Sequence, residues 1–230
     1  MSAAWNRLLL FDIDGTLLSA DRSGYQALER SVVEVLGAPR GLEGIRLDGN
    51  TDLNALRQVT TRDGLPFPAP EVIERFKNRY VEILAAGIQG RGHLKPGVED
   101  LLNRLADNPA VCLGLVTGNF REGARIKLAR FGLERHFRLG AYGCEDPARA
   151  ALVRLAMDRA AAARGAPFPP GAVTVIGDTV HDVAASRECG VRALGVATGS
   201  CPVGGLLAAG ATWALPDLSE TDRVERLLLS

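Results

Sequence analysis

Short apolar segments recur along the chain, and each has the length of one buried β-strand. Their residues are apolar at consecutive positions, which is typical of strands in a parallel sheet that helices cover on both faces. The segments are RLLLF (7–11), VCLGLV (111–116), VTVI (173–176) and VRALGV (191–196), with ATWAL (211–215) as a weaker candidate.

Helical patterns lie between these segments. Val98, Leu101, Leu102 and Leu105 fall on one face of a helix, and residues 150–163 are rich in Ala, Leu, Met and Arg, which favour helices. Because strands and helices alternate, the sequence predicts an α/β fold with a doubly wound, Rossmann-like parallel sheet.

The span from residue 21 to residue 94 breaks this alternation. Its apolar positions have helical spacing, and no segment in it has the pattern of a strand. Helices are therefore expected over residues 25–36, with Gly37 as the stop, over residues 53–59, with Thr51 or Asp52 as the cap, and over residues 72–84.

This organisation predicts a protein of two parts. The α/β core is expected to comprise residues 1–20 and 95–230. Residues 21–94 would form a helical cap inserted after the first strand, with hinges near residues 19–23 and 91–96. A chain of 230 residues is long enough for one large domain with a smaller insert.

Composition limits the classes of partner. Lys plus Arg number 27 and Asp plus Glu number 27, so no net positive charge favours nucleic acid or an anionic membrane. The apolar run near the N-terminus is too short for a signal peptide, and no segment has the length of a membrane span. The four cysteines form no Cys-x-x-Cys pair, which argues against a zinc site or a disulfide framework. We expect a cytoplasmic protein, monomeric or homodimeric, with reduced thiols.

Polar residues follow three of the predicted strands at the point where each strand ends. In open parallel sheets, ligands bind just beyond the carboxyl ends of the strands, so Asp12, Asp14, Asp178 and Asp182 could meet in one crevice. Two carboxylates about 4 Å apart repel by roughly 4 kcal/mol at an effective dielectric constant near 20. Such a cluster therefore predicts a hard cation, and Mg²⁺ suits oxygen ligands. The three strand ends are DIDGT (12–16), TGN (117–119) and GDTVHD (177–182).

In this order, these three motifs resemble the first, second and fourth motifs of the haloacid dehalogenase superfamily. The helical span is similar to the cap of its phosphoglycolate-phosphatase-like branch, as are GNTD (49–52) and KPGV (95–98). The resemblance implies a Mg²⁺-dependent phosphatase that works through an aspartyl-phosphate intermediate. Its substrate would be a small phosphorylated metabolite, such as phosphoglycolate or a related acid, a sugar phosphate or a nucleotide.

The resemblance also implies catalytic roles. Asp12 would be the nucleophile, and Asp14 would be the general acid and then the general base. Thr117 would bind a phosphoryl oxygen, together with backbone N–H groups around Gly118 and Asn119.

A metal site is implied in the same way. Mg²⁺ would be held by the carboxylates of Asp12 and Asp178 and by the backbone carbonyl of Asp14. Asp182 would hold it directly or through water. Such a site is mainly electrostatic, because the cation and the donors balance charge on the transferring phosphoryl group.

The third motif is where this chain departs from the family, which usually has a lysine at the start of the helix before the fourth motif. The segment GCEDPARAALVRLA (143–156) contains no lysine. Arg149 is the first candidate for the role, because a guanidinium can contact phosphate oxygens in pairs. Lys127 is the second, because it could reach back from the helix that follows Thr117.

Other functions remain open at this stage. A dehalogenase would lack the second aspartate and need no metal, so Asp14 argues against it. A phosphomutase of the same fold is harder to exclude. A phospho-accepting signalling protein or a non-enzymatic binding protein is disfavoured by the large insert and by the intact acidic set.

Overall fold

The computed structural model describes residues 5–230 and confirms the predicted α/β fold, because strands and helices alternate along most of the chain. In chain order the strands are β1 (Arg7–Phe11), β2 (Leu18–Ser19), β3 (His93–Leu94), β4 (Val111–Thr117), β5 (Leu139–Tyr142), β6 (Val173–Gly177), β7 (Arg192–Val196) and β8 (Trp213–Leu215). The helices are α1 (Ser23–Leu36), α2 (Asp52–Arg62), α3 (Pro70–Gly87), α4 (Val98–Asp107), α5 (Arg121–Ala129), α6 (Arg149–Arg164), α7 (Val180–Glu188), α8 (Val203–Ala208) and α9 (Thr221–Leu229).

Six strands form one parallel sheet in the order β5-β4-β1-β6-β7-β8. Strand β1 lies between β4 and β6, and the register places Phe11 opposite both Leu115 and Ile176. The residues that follow these three strands therefore leave the sheet side by side at its carboxyl edge.

Both faces of β1 are buried, which explains its unbroken apolar sequence. Successive side chains of a strand point to opposite faces. Leu9 and Phe11 pack into the core on one face, while Leu8 and Leu10 pack into a second core on the other. Strand β5 was not predicted, because its four residues include a glycine and carry little apolar pattern.

Residues 21–94 contain α1, α2 and α3. Helix α1 ends before Gly37, which has a left-handed φ of 66°, and Thr51 caps α2 by accepting a hydrogen bond from the backbone N–H of Asn54 at 3.2 Å. The expectation that this span has no strand is wrong at its end. His93–Leu94 pairs antiparallel with Leu18–Ser19 and joins the two ends of the span, and a strand of two residues has no periodicity to detect.

No helix among the described residues is both long enough and apolar enough to cross a membrane.

Candidate active site

Asp12 follows β1 directly and is buried at the centre of the site. Its backbone N–H donates to the carbonyl of Ile176 at 2.9 Å, which continues the pairing with β6. One carboxylate oxygen, Oδ1, lies 2.9 Å from Nη2 of Arg149. Burial raises the pKa of Asp12 to about 6, and Asp182 and Asp14 add to this, although Arg149 opposes it.

Asp12, Asp178 and Asp182 form an acidic cluster in which one carboxylate oxygen of each lies within 4.8 Å of the others. Thr16 donates its hydroxyl to Oδ1 of Asp178 at 3.0 Å. Burial, with Asp12 and Asp182 nearby, raises the pKa of Asp178 to about 8. These are the hard oxygen donors that Mg²⁺ prefers, so the cluster fits the cation that the sequence implies.

The two oxygen atoms of Asp182 both have protein partners. Its Oδ2 accepts from the backbone N–H of Thr179 at 3.1 Å and from the Thr179 hydroxyl at 2.6 Å, as part of a capping box at the start of α7. Its Oδ1 lies 2.6 Å from Nη2 of Arg149. Asp182 therefore orients Arg149 as well as contributing charge to the cluster.

The carboxylate of Asp14 is not a member of this cluster, although the sequence suggested that four carboxylates could meet. Its Oδ2 instead lies 2.6 Å from Nζ of Lys127 and accepts from Nδ2 of Asn119 at 2.7 Å. The opposite charge of Lys127 and the amide of Asn119 hold it on the other side of the site. The side chain remains 43% exposed, so it faces the cavity and is accessible to a substrate.

The structure brings both basic candidates into the site and gives them different partners. Arg149 is the first residue of α6 and forms buried ion pairs with Asp12 and Asp182. Burial alone would lower the pKa of Arg149, but the two carboxylates raise it above its ordinary value. Lys127 is also buried, and its Nζ donates to Oδ1 of Asn119 at 2.6 Å as well as to Asp14.

Thr117 and Asn119 are both buried in the loop that follows β4. The Thr117 hydroxyl oxygen accepts from the backbone N–H of Asn119 at 3.3 Å and from its Nδ2 at 2.7 Å. Gly118 is required between them, because a Cβ there would collide with the backbone carbonyl of Asn50.

A cavity of about 340 Å³ lies between this edge of the sheet and the helices of residues 21–94. Tyr25 and three residues of the 49–52 turn line it. Lys95 also lines it and donates to the carbonyl of Thr198 at 2.8 Å. Lys95 was missed as a site residue, although it stands in the KPGV segment, because a lone lysine after a cap has no pattern of its own.

The family described as haloacid dehalogenase-like hydrolase matches residues 7–190. A phosphoglycolate phosphatase from Synechococcus elongatus is 29% identical over 218 residues, which cover 92% of this chain and 93% of that protein.

Solved structures share the fold. CbbY from Rhodobacter sphaeroides, crystallised in complex with phosphate, has a TM-score of 0.69 at 21% identity, and the match covers 96% of each chain. A haloacid dehalogenase-like hydrolase from Streptococcus pneumoniae has a TM-score of 0.65 at 20% identity, covering 96% of this chain and 99% of that one.

Proposed function

The chain belongs to the haloacid dehalogenase-like hydrolase family, and we propose that it hydrolyses a small phosphate monoester through covalent catalysis at Asp12. The observation that carries this proposal is the separation of two aspartates with different partners. Asp12 is buried against Arg149, whereas Asp14 faces the cavity beside Lys127. A nucleophile and a proton carrier need different surroundings, and these two carboxylates have them.

The reaction would proceed in two displacements. A carboxylate oxygen of Asp12 attacks phosphorus, the bond from phosphorus to the ester oxygen breaks, and Asp14 gives its proton to the departing alkoxide. Water then attacks phosphorus while Asp14 takes back a proton. The bond to Asp12 breaks and inorganic phosphate leaves.

Two cationic side chains, Arg149 and Lys127, would share the role of the single lysine that the family usually has in its third motif. Arg149 fixes the nucleophile through Oδ1 of Asp12 and connects it to Asp182. Lys127 and Asn119 orient Asp14 through its Oδ2. The proton carrier is thereby held on the side of the nucleophile that the cavity occupies.

The acidic cluster would hold Mg²⁺ through carboxylate oxygens of Asp12 and Asp178, with the backbone carbonyl of Asp14. Asp182 would hold it directly or through water. When bound, Mg²⁺ supplies positive charge that offsets the oxygens of the transferring phosphoryl group.

Residues 21–94 would act as a cap that closes over the phosphoryl group and contacts the leaving group. Their helices supply one wall of the cavity, and the core residues supply the other. A cavity of about 340 Å³ suits a small leaving group. The relative from Synechococcus elongatus makes 2-phosphoglycolate the first substrate to test.

Purified protein incubated with Mg²⁺ and a set of small phosphate esters tests the proposal. The set should contain p-nitrophenyl phosphate, 2-phosphoglycolate, hexose phosphates and nucleoside monophosphates. We expect release of inorganic phosphate from at least one of them. No release from any ester would contradict the proposal, and conversion of a hexose 1-phosphate into its 6-phosphate without phosphate release would indicate a phosphomutase.

A further inference from the structure

Asp52, the first residue of α2, makes two hydrogen bonds to the loop that follows β4. Its backbone N–H donates to the carbonyl of Gly118 at 2.7 Å, and its Oδ2 accepts from the backbone N–H of Phe120 at 2.7 Å. These partners are the residues immediately before and after Asn119. A single residue of the helical span thus fixes the backbone on both sides of Asn119.

Asn119 is the residue that connects this loop to the proton carrier. Its Nδ2 donates to Asp14 and to the hydroxyl oxygen of Thr117, and its Oδ1 accepts from Lys127. A displacement of the backbone at Asn119 would therefore move the partners of Asp14 together. The two hydrogen bonds from Asp52 oppose such a displacement.

The two residues before Asp52 also pack closely against the core. The carbonyl of Asn50 lies against the Cα of Gly118, where no side chain could be accommodated. The hydroxyl of Thr51 donates to the carbonyl of Pro147 at 3.3 Å, in the loop before α6. The turn that starts α2 is consequently seated on two loops of the core.

Nearby groups offset part of the cost of burying the Asp52 carboxylate. The carboxylate lies at the N-terminus of its own helix and bonds the N-cap residue of α5, Phe120, and negative charge is stabilised at helix N-termini. Lys127 is a further positive group nearby, although burial still raises the pKa of Asp52 to about 6. None of the chemical steps proposed above uses this carboxylate.

We propose that Asp52 is a positioning residue, which couples the seating of the cap to the geometry of Asn119 and so to the placement of Asp14 and Lys127. This inference rests on the proposed function. The cap would then do more than cover the substrate, because Asp14 would be correctly placed only when α2 is docked on the core.

Three variants test the inference, namely Asp52→Ala, Asp52→Asn and the control Glu71→Ala. Glu71 is also an acidic residue in the first turn of a helix of the same span, α3, but it is exposed and does not line the cavity. We expect Asp52→Ala to lower kcat about tenfold to hundredfold, the cost of a small misplacement of catalytic groups. The fold-loss of kcat should be the same for p-nitrophenyl phosphate and 2-phosphoglycolate, and KM should change little.

The conservative variant Asp52→Asn should recover part of the lost kcat. The side-chain oxygen of asparagine can still accept from the Phe120 N–H, so Asp52→Asn should retain more kcat than Asp52→Ala. Glu71→Ala should have a kcat close to that of the native protein. Equal kcat for Asp52→Ala and Glu71→Ala would overturn the inference. So would a loss that differs strongly between the two leaving groups, which would indicate direct substrate contact.

Amide hydrogen exchange at Phe120 gives a readout that does not need turnover. In the presence of Mg²⁺ and orthovanadate, exchange should be faster in Asp52→Ala than in the native protein and unchanged in Glu71→Ala. If Asp52→Ala does not fold, Asp52→Asn is compared instead, with a smaller increase expected. Native exchange rates in the folded Asp52 variants would overturn the inference even if no ester is hydrolysed, so its failure differs from failure of the proposed function.

Discussion

The side chain of Lys127 passes over Gly24, and a Cβ on residue 24 would lie 3.0 Å from Nζ and 3.1 Å from Cε of that lysine. Gly24 belongs to α1, in the helical span, whereas Lys127 belongs to α5, in the core. A larger residue at position 24 would crowd the end of the lysine that contacts Asp14. A glycine in the helical span thus leaves room for a cation in the site.

We predict that Gly24→Ala lowers activity without lowering stability. The added methyl group requires the end of Lys127 to move by a few tenths of an ångström, because Cβ contacts near 3.0 Å are too close, and this movement should weaken its contact with Asp14. Alanine nevertheless favours a helix over glycine by about 0.5–1 kcal/mol. Steady-state kinetics with p-nitrophenyl phosphate and a thermal unfolding curve measure the two effects separately.

Gly87→Ala is the matched control, because Gly87 is also helical and a Cβ there would meet nothing within 4 Å. It should leave kcat unchanged and should not lower the melting temperature. If Gly24→Ala has the same kcat as Gly87→Ala, then the position of Lys127 over Gly24 does not matter for catalysis.

The two cations predict different costs when removed. Arg149 and its partners Asp12 and Asp182 are all buried, with side-chain exposures of 7%, 9% and 3%. Breaking a buried ion pair from one side costs about 3–5 kcal/mol, because the remaining charge has no partner. Arg149→Ala should therefore reduce both the free energy of unfolding and the activity strongly.

Lys127→Ala should reduce activity less than Arg149→Ala and should destabilise the fold less, because its partner Asp14 is partly exposed. Urea unfolding and phosphatase assays on both variants give the ranking. A larger activity loss in Lys127→Ala would mean that the role of the family's third motif lies with Lys127.

The strand ends were predictable because a parallel sheet brings them together by rule. Asp12, Thr117 and Asp178 each follow an apolar segment, and β1, β4 and β6 proved to be neighbours. No such rule locates Lys127, because its side chain lies between Asp14 of the strand end and Gly24 of α1, and local patterns do not show how α1 docks there. The sequence could name Arg149 and Lys127 as candidates, but it could not reveal that they hold different aspartates.

The contacts of Asp52 were also beyond the sequence. Residues 49–52 could be named as a segment similar to the family branch, and Thr51 or Asp52 could be named as the cap of α2. The hydrogen bonds from Asp52 to Gly118 and Phe120 join residues far apart in the chain. They depend on how the helical span docks on the core, which local patterns do not encode.

Metal removal should abolish turnover. Thorough chelation of the protein should stop hydrolysis of p-nitrophenyl phosphate, and added Mg²⁺ should restore it, because the acidic cluster needs a cation to accept a phosphate. Mg²⁺ should also raise the melting temperature. At a concentration one hundred times its Kd, binding adds about 2.7 kcal/mol to the free energy of unfolding.

Asp178→Asn provides the specific variant for the metal prediction. It removes one carboxylate from the cluster, so the stabilisation by Mg²⁺ should largely disappear. Asp100→Asn, at an exposed position on α4, should keep the full response. Undiminished turnover in a chelated sample would contradict the metal assignment.

The separate surroundings of Asp12 and Asp14 lead to a prediction about a trapped intermediate. Asp12→Asn removes the nucleophile, so no covalent phosphoenzyme should form. Asp14→Asn keeps the nucleophile and its ion pair with Arg149, but removes the proton carrier. Nitrophenolate is a good leaving group and hardly needs protonation, so the first displacement should still occur.

The second displacement still needs a base to activate water, and such assistance is worth roughly 10²–10⁴-fold in rate. Asp14→Asn should therefore accumulate phosphorylated protein with p-nitrophenyl phosphate, detectable by mass spectrometry as the addition of one phosphoryl group. Asp12→Asn, treated identically, should show no added mass. If both variants stay unmodified and equally slow, the division of labour between the aspartates is wrong, and near-full activity in Asp12→Asn would exclude covalent catalysis at this residue.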